Sequence, residues 1–238
     1  PEQAKTLTGS DNLEVTVSPS IIERYVAFNT KTKPFNDVRV RKALNYAVNK
    51  EALAKVAFSG YAVPATGSAP EGVDYAKVYE LYNHTTAQKV IQFLQQQFAQ
   101  VGVKVSILAM EAGQRNEYLL KKPEDAKLNM LYAGWSSSTG ELDWALRPLL
   151  ATASWAPVAG NYGFYSSKVL DDSFTKALLT TDRAEKTKLY NAGQDAIWND
   201  APWIFLINEQ NVSAKVKNLK KFYVQPDAGF DYYEAELD

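Results

Sequence analysis

The chain has 238 residues, enough for one large domain or two small ones with ample apolar surface to bury. Hydrophobic residues make up 46% and charged residues 22%, the balance of an ordinary globular protein. A formal net charge of −1 supplies no field for nucleic acid, and no apolar run approaches the roughly 20 residues of a membrane span, so neither partner is expected.

Pro1-Glu2-Gln3 opens in polar sequence with no signal peptide in view, so the chain reads as mature or as cut from something longer. Residues 13–17 alternate apolar and polar, and residues 24–30 follow after Pro19; both are predicted strands. The next stretch is helical. Asn36 or Asp37 is placed to cap it, and Val40, Leu44, Ala47 and Val48 recur at helical spacing. Asn49 marks a break before a second short helix over residues 50–58, stopped by Gly60. Residues 60–76 hold three glycines and two prolines and read as loop.

A long amphipathic helix is predicted from Thr85, with Val90, Phe93, Leu94 and Phe98 on one face and Gly102 ending it. Residues 103–110 alternate as a strand, 112–121 read as a short helix, and 127–135 as another strand. Helix followed by strand, repeated, is the pattern of an α/β layer with helices packed on a sheet. Further helices are predicted at 142–150, 167–179 and 182–198, with a loop through Gly160 between the first two. Asp182 caps the last, Glu185 completes a capping box, and Gly193 inside it costs about 1 kcal/mol relative to alanine. Residues 202–216 and 219–226 close the chain as strands.

The absence of cysteine removes thiol nucleophiles, thiolate metal sites and disulfides, and His84, the single histidine, rules out a His-His metal site. Catalysis finds little support. Glu141 and Asp143 are close in sequence but point to different faces of a helix, and the serines have neither a GxSxG elbow nor a second histidine as base. "GSAPEG" lacks the Gly-Lys-Ser/Thr ending of a phosphate loop. No cofactor is expected and no enzyme activity.

"YVAFNTKTKPFNDVRVRKALNYAVNKEAL" (residues 25–53) resembles the segment opening the C-terminal lobe of dipeptide/oligopeptide-type (family 5) periplasmic binding proteins. "AEKTKLYNAGQDAIWNDAPWIFL" (184–206) resembles the late helix and strand of the same lobe. "NHTTAQKVIQFLQQQFAQVGVKVSILAMEAGQR" and "YAGWSSSTGELDWAL" are most similar to the glutathione-binding subgroup. The resemblance implies a single type II periplasmic-binding-protein lobe, α/β, with a mixed sheet and helices on its faces. It implies one unit over 1–238, with a body over 31–207 and flanking, hinge-derived strands at 1–30 and 208–238. The family's large N-terminal lobe is missing and the stretch between Gly60 and Asn83 is short, which points to an excised or engineered single lobe. The implied setting is the periplasm. The implied ligand is glutathione or a short peptide, held weakly by one lobe and passed, in the parent, to an ABC permease; the lone lobe is a monomer or weak dimer. A folding unit without activity, or a carbohydrate-binding relative, are the alternatives.

In such two-lobed receptors the ligand sits at the lobe interface between aromatic walls and hydrogen-bonding groups. Trp135 follows a strand and would wall a pocket, with Ser136, Ser137, Ser138 and Thr139 offering hydroxyls. The bland alternative is a hydroxyl-rich turn that caps the next helix, with Trp144 in the core. The resemblance places an aspartate that anchors a free α-amino group near Ser138, and that aspartate is absent here. Arg115 would pair with a ligand carboxylate or simply form a surface ion pair. Asn161 and Tyr165, around Gly163, would line the site or pack the loop. His84 would touch ligand or sit exposed where Thr85 or Thr86 caps a helix.

Overall fold

The computed structural model describes residues 2–77, 90–110 and 112–238. In chain order it runs α1 Glu2–Leu7, β1 Leu13–Phe28, α2 Val38–Tyr46, α3 Lys50–Ala57, β2 Ala62–Pro64 and α4 Val90–Gln100. Next come α5 Ala112–Leu119, β3 Met130–Ser136, α6 Leu142–Leu150, α7 Lys168–Ala177, α8 Arg183–Asp200 and β4 Trp203–Val216. Four two-residue strands finish it: β5 Leu219–Lys220, β6 Tyr223–Val224, β7 Phe230–Asp231 and β8 Glu236–Leu237.

The sheet has the order β2-β4-β1-β3, and each of its ladders is antiparallel. Helices lie on both faces, as expected for an α/β lobe. β4 shows why. Along "WIFLI", Trp203 and Phe205 enter a core built with α6, α7 and α8, while Ile204 and Leu206 enter a second core built with α2, α3 and α4. All five side chains of the run are 2% exposed or less, so strand alternation serves two cores at once. Burying each is worth about 1.5–3 kcal/mol. Tyr25 stacks on Trp203 with ring centroids 3.8 Å apart, locking β1 to β4 on the first face.

The two strands predicted at 13–17 and 24–30 are one strand with a bulge. Pro19 pairs with Gln210, and the next residue in register with β4 is Glu23, opposite Asn208. Proline has no N–H to give a ladder, so a bulge is where it is tolerated. On the outer side of the bulge, β1 and β4 pair with no other strand among the described residues, and from Leu13–Val216 to Pro19–Gln210 they form a two-stranded ribbon.

Capping follows the sequence closely. Asp37 Oδ1 accepts from Arg39 N at 2.9 Å, and the predicted break at Asn49 is the N-cap of α3, accepting from Ala52 N at 2.8 Å. Asp182 accepts from Glu185 N at 2.7 Å. The return bond of the capping box is indirect: Glu185 accepts from the Thr180 hydroxyl, whose oxygen accepts from Asp182 N. The turn from α8 into β4 is held from α2. Buried Arg41 donates to the carbonyls of Asp200 and Ala201, and Asn45 bonds Trp203 O and Phe205 N.

Three expectations need correction. The loop over 60–76 contains β2, which pairs with β4 at the sheet edge. Residues 103–110 form no ladder. Val103 and Val105, half-buried, pack on the second core and Val105 O accepts from Gln95, so the alternation reflects one half-buried side at the start of an extended segment. Residues 219–226 form only the short strands β5 and β6, since Lys221 between them turns with φ +52°. The helix start predicted at Thr85 lies outside the described residues.

Gly193 has a packing reason. A Cβ there would lie 2.5 Å from Phe174 Cε1 and 2.9 Å from Ser173 Oγ, so the glycine lets α7 and α8 close together. Phe174 is pinned edge-on to Tyr190 with centroids 4.9 Å apart, leaving it little room to yield. Gly193→Ala should therefore destabilise by about 1–3 kcal/mol despite its helix-propensity gain of about 1 kcal/mol. Thermal or urea unfolding of the variant checks this.

Lys50, fully buried at the start of α3, donates to Ala65 O at 3.3 Å and lies 5.9 Å from the Trp198 ring centroid. Burial pulls its ammonium down to about 7. Because the unfolded chain holds that proton more tightly, Lys50 makes folding more favourable as pH rises from about 7 towards the ordinary lysine range. The gain in unfolding free energy from Lys50→Met should accordingly shrink between about pH 7 and about pH 9, read from urea curves of both proteins.

Candidate functional site

The end of β3 and the turn into α6 carry five of the predicted residues, Trp135 to Thr139. Trp135 is half-buried: one side packs on the first core, and its indole Nε1 donates to Trp144 O at 3.1 Å. The Trp135 and Trp144 rings are 6.2 Å apart and tilted by 48°. Trp144 is 44% exposed, so it belongs to the rim and not to the core. Ser136 is half-buried, while Ser138 and Thr139 are exposed.

Ser137 is different. It is 1% exposed and its hydroxyl donates to Glu141 O at 2.8 Å. Thr139 Oγ1 accepts at 3.3 Å from the N–H of Glu141, the α6 N-cap residue, whose own side chain makes no cap bond. Gly140, at φ +71°, makes the left-handed step that the turn requires. The turn is thus both a helix cap and an exposed indole-and-hydroxyl surface.

A second loop holds this turn from behind. Asp74 N donates to Gly140 O at 2.8 Å, and the Asp74 carboxylate pairs with Arg183 at 2.7 Å. Gln194, buried in α8, accepts from Lys77 N and donates to Tyr75 O, while Lys77 pairs with Asp195 at 2.5 Å. None of these residues stood out in the sequence. Their signal, polar residues in a glycine-proline loop and along α8, is indistinguishable from solvent-facing chemistry.

Asn161 and Tyr165 lie at the opposite end of α6. Asn161 is 1% exposed; its amide donates to Ala151 O and Tyr165 O and accepts from Tyr165 N. The Tyr165 hydroxyl donates to Asp200 at 2.6 Å, and burial followed by that bond pushes the phenol well above its usual range. α6 rises about 1.5 Å per residue, so its nine residues put roughly 13 Å between the two groups. They are not brought together. Arg115 is exposed on α5. Near it Glu117, Tyr118, Lys121, Asp125 and Lys127 line an open pocket of about 240 Å³. His84 lies outside the described residues.

An antiparallel sheet with helices on both faces, continued by a two-stranded ribbon, is a fold that this chain shares with about half the length of solved periplasmic-binding-protein type II neighbours. Its fold matches HbpA2 from Haemophilus parasuis with a TM-score of 0.86 at 18% identity, covering 100% of this chain and 52% of that one. It also matches DppA, an ABC transporter-associated periplasmic binding protein from Helicobacter pylori, with a TM-score of 0.81 at 24% identity, covering 99% of this chain and 51% of that one.

Residues 1–83 match the family model "Bacterial extracellular solute-binding proteins, family 5 Middle". The chain is 51% identical to the glutathione-binding protein GsiB of Pectobacterium atrosepticum over 265 residues, covering 99% of this chain and 52% of the relative. It is 47% identical to GsiB of Escherichia coli K12 with the same coverage. The chain spans about half the length of the curated relatives it matches.

The two roles of the turn separate by mutation. Ser137→Ala should destabilise by about 1 kcal/mol through loss of its buried bond, whereas Ser138→Ala should change stability by less than about 0.5 kcal/mol. Urea midpoints of both variants decide the matter.

Proposed function

We propose that this chain supplies one wall of a periplasmic receptor for glutathione or a short peptide, working with an ABC permease. The observation that carries the reading is the 51% identity across nearly the whole chain to a glutathione-binding protein, where fold likeness alone would leave the ligand class open. The body over 31–207 provides the binding face. The flanking stretches 1–30 and 208–238, which include the β1–β4 ribbon, form the hinge side.

Trp135 is the aromatic wall, and Ser136, Ser138 and Thr139 are the hydroxyls that meet the ligand. Ser137 supports them from below. Arg115, with its charge in solvent, is the candidate partner of a ligand carboxylate. Asn161 and Tyr165 act by holding the far loop in shape, their polar atoms being engaged within it.

Trapped ligands of this size are mostly buried, and one wall buries only part of such a surface. Titrating glutathione into the isolated chain should therefore give no measurable heat in calorimetry and little change in tryptophan fluorescence. Joined to the remaining half of the Pectobacterium relative, the chain should bind glutathione, and Trp135→Ala in that chimera should weaken binding at least about tenfold, or about 1.4 kcal/mol. A chimera that ignores glutathione but binds another tripeptide or cellobiose would reassign the ligand. Micromolar binding by the isolated chain would overturn the one-wall account.

A further inference from the structure

Glu23 is a carboxylate in an unusual place. It is 3% exposed, and its Oε1 has no hydrogen-bond partner among the described residues. It stands at the bulge where the four-stranded sheet gives way to the ribbon. Cross-strand partners point to the same face, so Glu23 shares its face with Trp135 on β3 and Asn208 on β4.

Among the described residues no charge is placed to compensate it. On its own strand the same-face neighbours are Ile21 and Tyr25, and the Tyr25 phenol, raised by burial first, is raised further by the Glu23 charge. β3 and β4 bring Trp135 and Asn208, neither of which titrates. The loop over 65–77 packs on Ile21 through Gly72, but its Glu71 bonds Thr66 and its Asp74 pairs with Arg183. Arg24 leaves through the opposite face and pairs with Glu209. Desolvation alone therefore acts on the carboxyl and raises it well above the usual range.

The bulge itself is closed by the C-terminal segment. Residues Ser20, Ile21 and Ile22 have no partner on β4. Instead Ile21 N donates to Pro226 O at 3.0 Å, and the Asn211 amide donates to Gln225 O at 2.8 Å and Pro226 O at 3.3 Å. A few bonds thus join the tail to the junction, directly beside a buried acid. An ionised carboxylate there must find water, and the nearest interruption of the β1–β4 ladder is this bulge.

We propose that Glu23 is a proton-operated latch: with its carboxyl neutral the bulge stays closed beneath the Trp135 strand, and loss of the proton opens the bulge and releases residues 225–226 from it. Since the folded protein holds this proton more tightly than the unfolded chain, the closed junction is most stable at low pH and is lost as pH rises through the raised value.

The test follows the Glu23 carboxyl by carbon NMR across pH, together with hydrogen exchange of the Ile21 and Phe28 amides corrected for intrinsic rate. The Glu23 midpoint should lie well above the ordinary carboxylate range. Over the same interval Ile21 exchange should accelerate at least tenfold while Phe28, bonded to Pro202 O, stays protected. Glu23→Gln should keep Ile21 protected throughout; should that variant fold poorly, Glu23→Met is expected to do the same. An ordinary midpoint, an unchanged pH response in the variants, or equal acceleration at Phe28 would each overturn the latch.

Discussion

Every layer of this lobe rests on β4 being buried on both sides. A strand in that position has no solvent to satisfy its backbone, so its N–H and C=O groups need partners from neighbouring strands. β1 supplies them along most of its length, with β2 on the other edge. Arg41 and Asn45 complete the arrangement at the α8–β4 turn, where Ala201 takes a left-handed conformation and leaves carbonyls facing inward. The helices of both faces then have a fixed surface to pack on. The Trp135 turn inherits its position from that surface through β3.

That dependence explains what the sequence showed and what it hid. "WIFLI" announced a buried strand, and the caps Asp37, Asn49 and Asp182 announced their helices, because each is a local signal with a local cause. Pro19 misled for the opposite reason. Its missing donor suggested a strand boundary, yet the tertiary ladder bridges it with a bulge. Residues 103–110 have the alternation of a strand but no paired strand among the described residues, which no short window records. Long-range pairing decides both cases.

The site was legible in part. Two indoles around four hydroxyls marked a turn worth attention, and Trp144, Ser138 and Thr139 stand exposed on it. What the string of letters could not convey is division of labour within it. Ser137 and Ser138 are adjacent and chemically identical, yet one is buried under Glu141 O and the other stands in solvent. Nor does spacing reveal that Asn161 and Tyr165 sit at the far end of a helix from Trp135. Glu23 was invisible for a simpler reason: within an alternating strand, a charged residue reads as solvent-facing until the opposite strand is known.

The ribbon formed by Leu13–Pro19 and Gln210–Val216 has a further consequence. Among the described residues neither outer edge pairs with a further strand, so beyond Gln210 N, which donates to Tyr61 O, each presents main-chain groups to any extended segment that drifts by. Val17 and Val216, at 44% and 43% exposure, add apolar adhesion to that offer, and Glu14 with Lys215, 3.6 Å apart, sets a charged pair against it. A fragment severed across this ribbon would trade a well-mannered surface for a sticky one. The safest places to divide or fuse such a lobe are its helical faces, where main-chain valences are already spent.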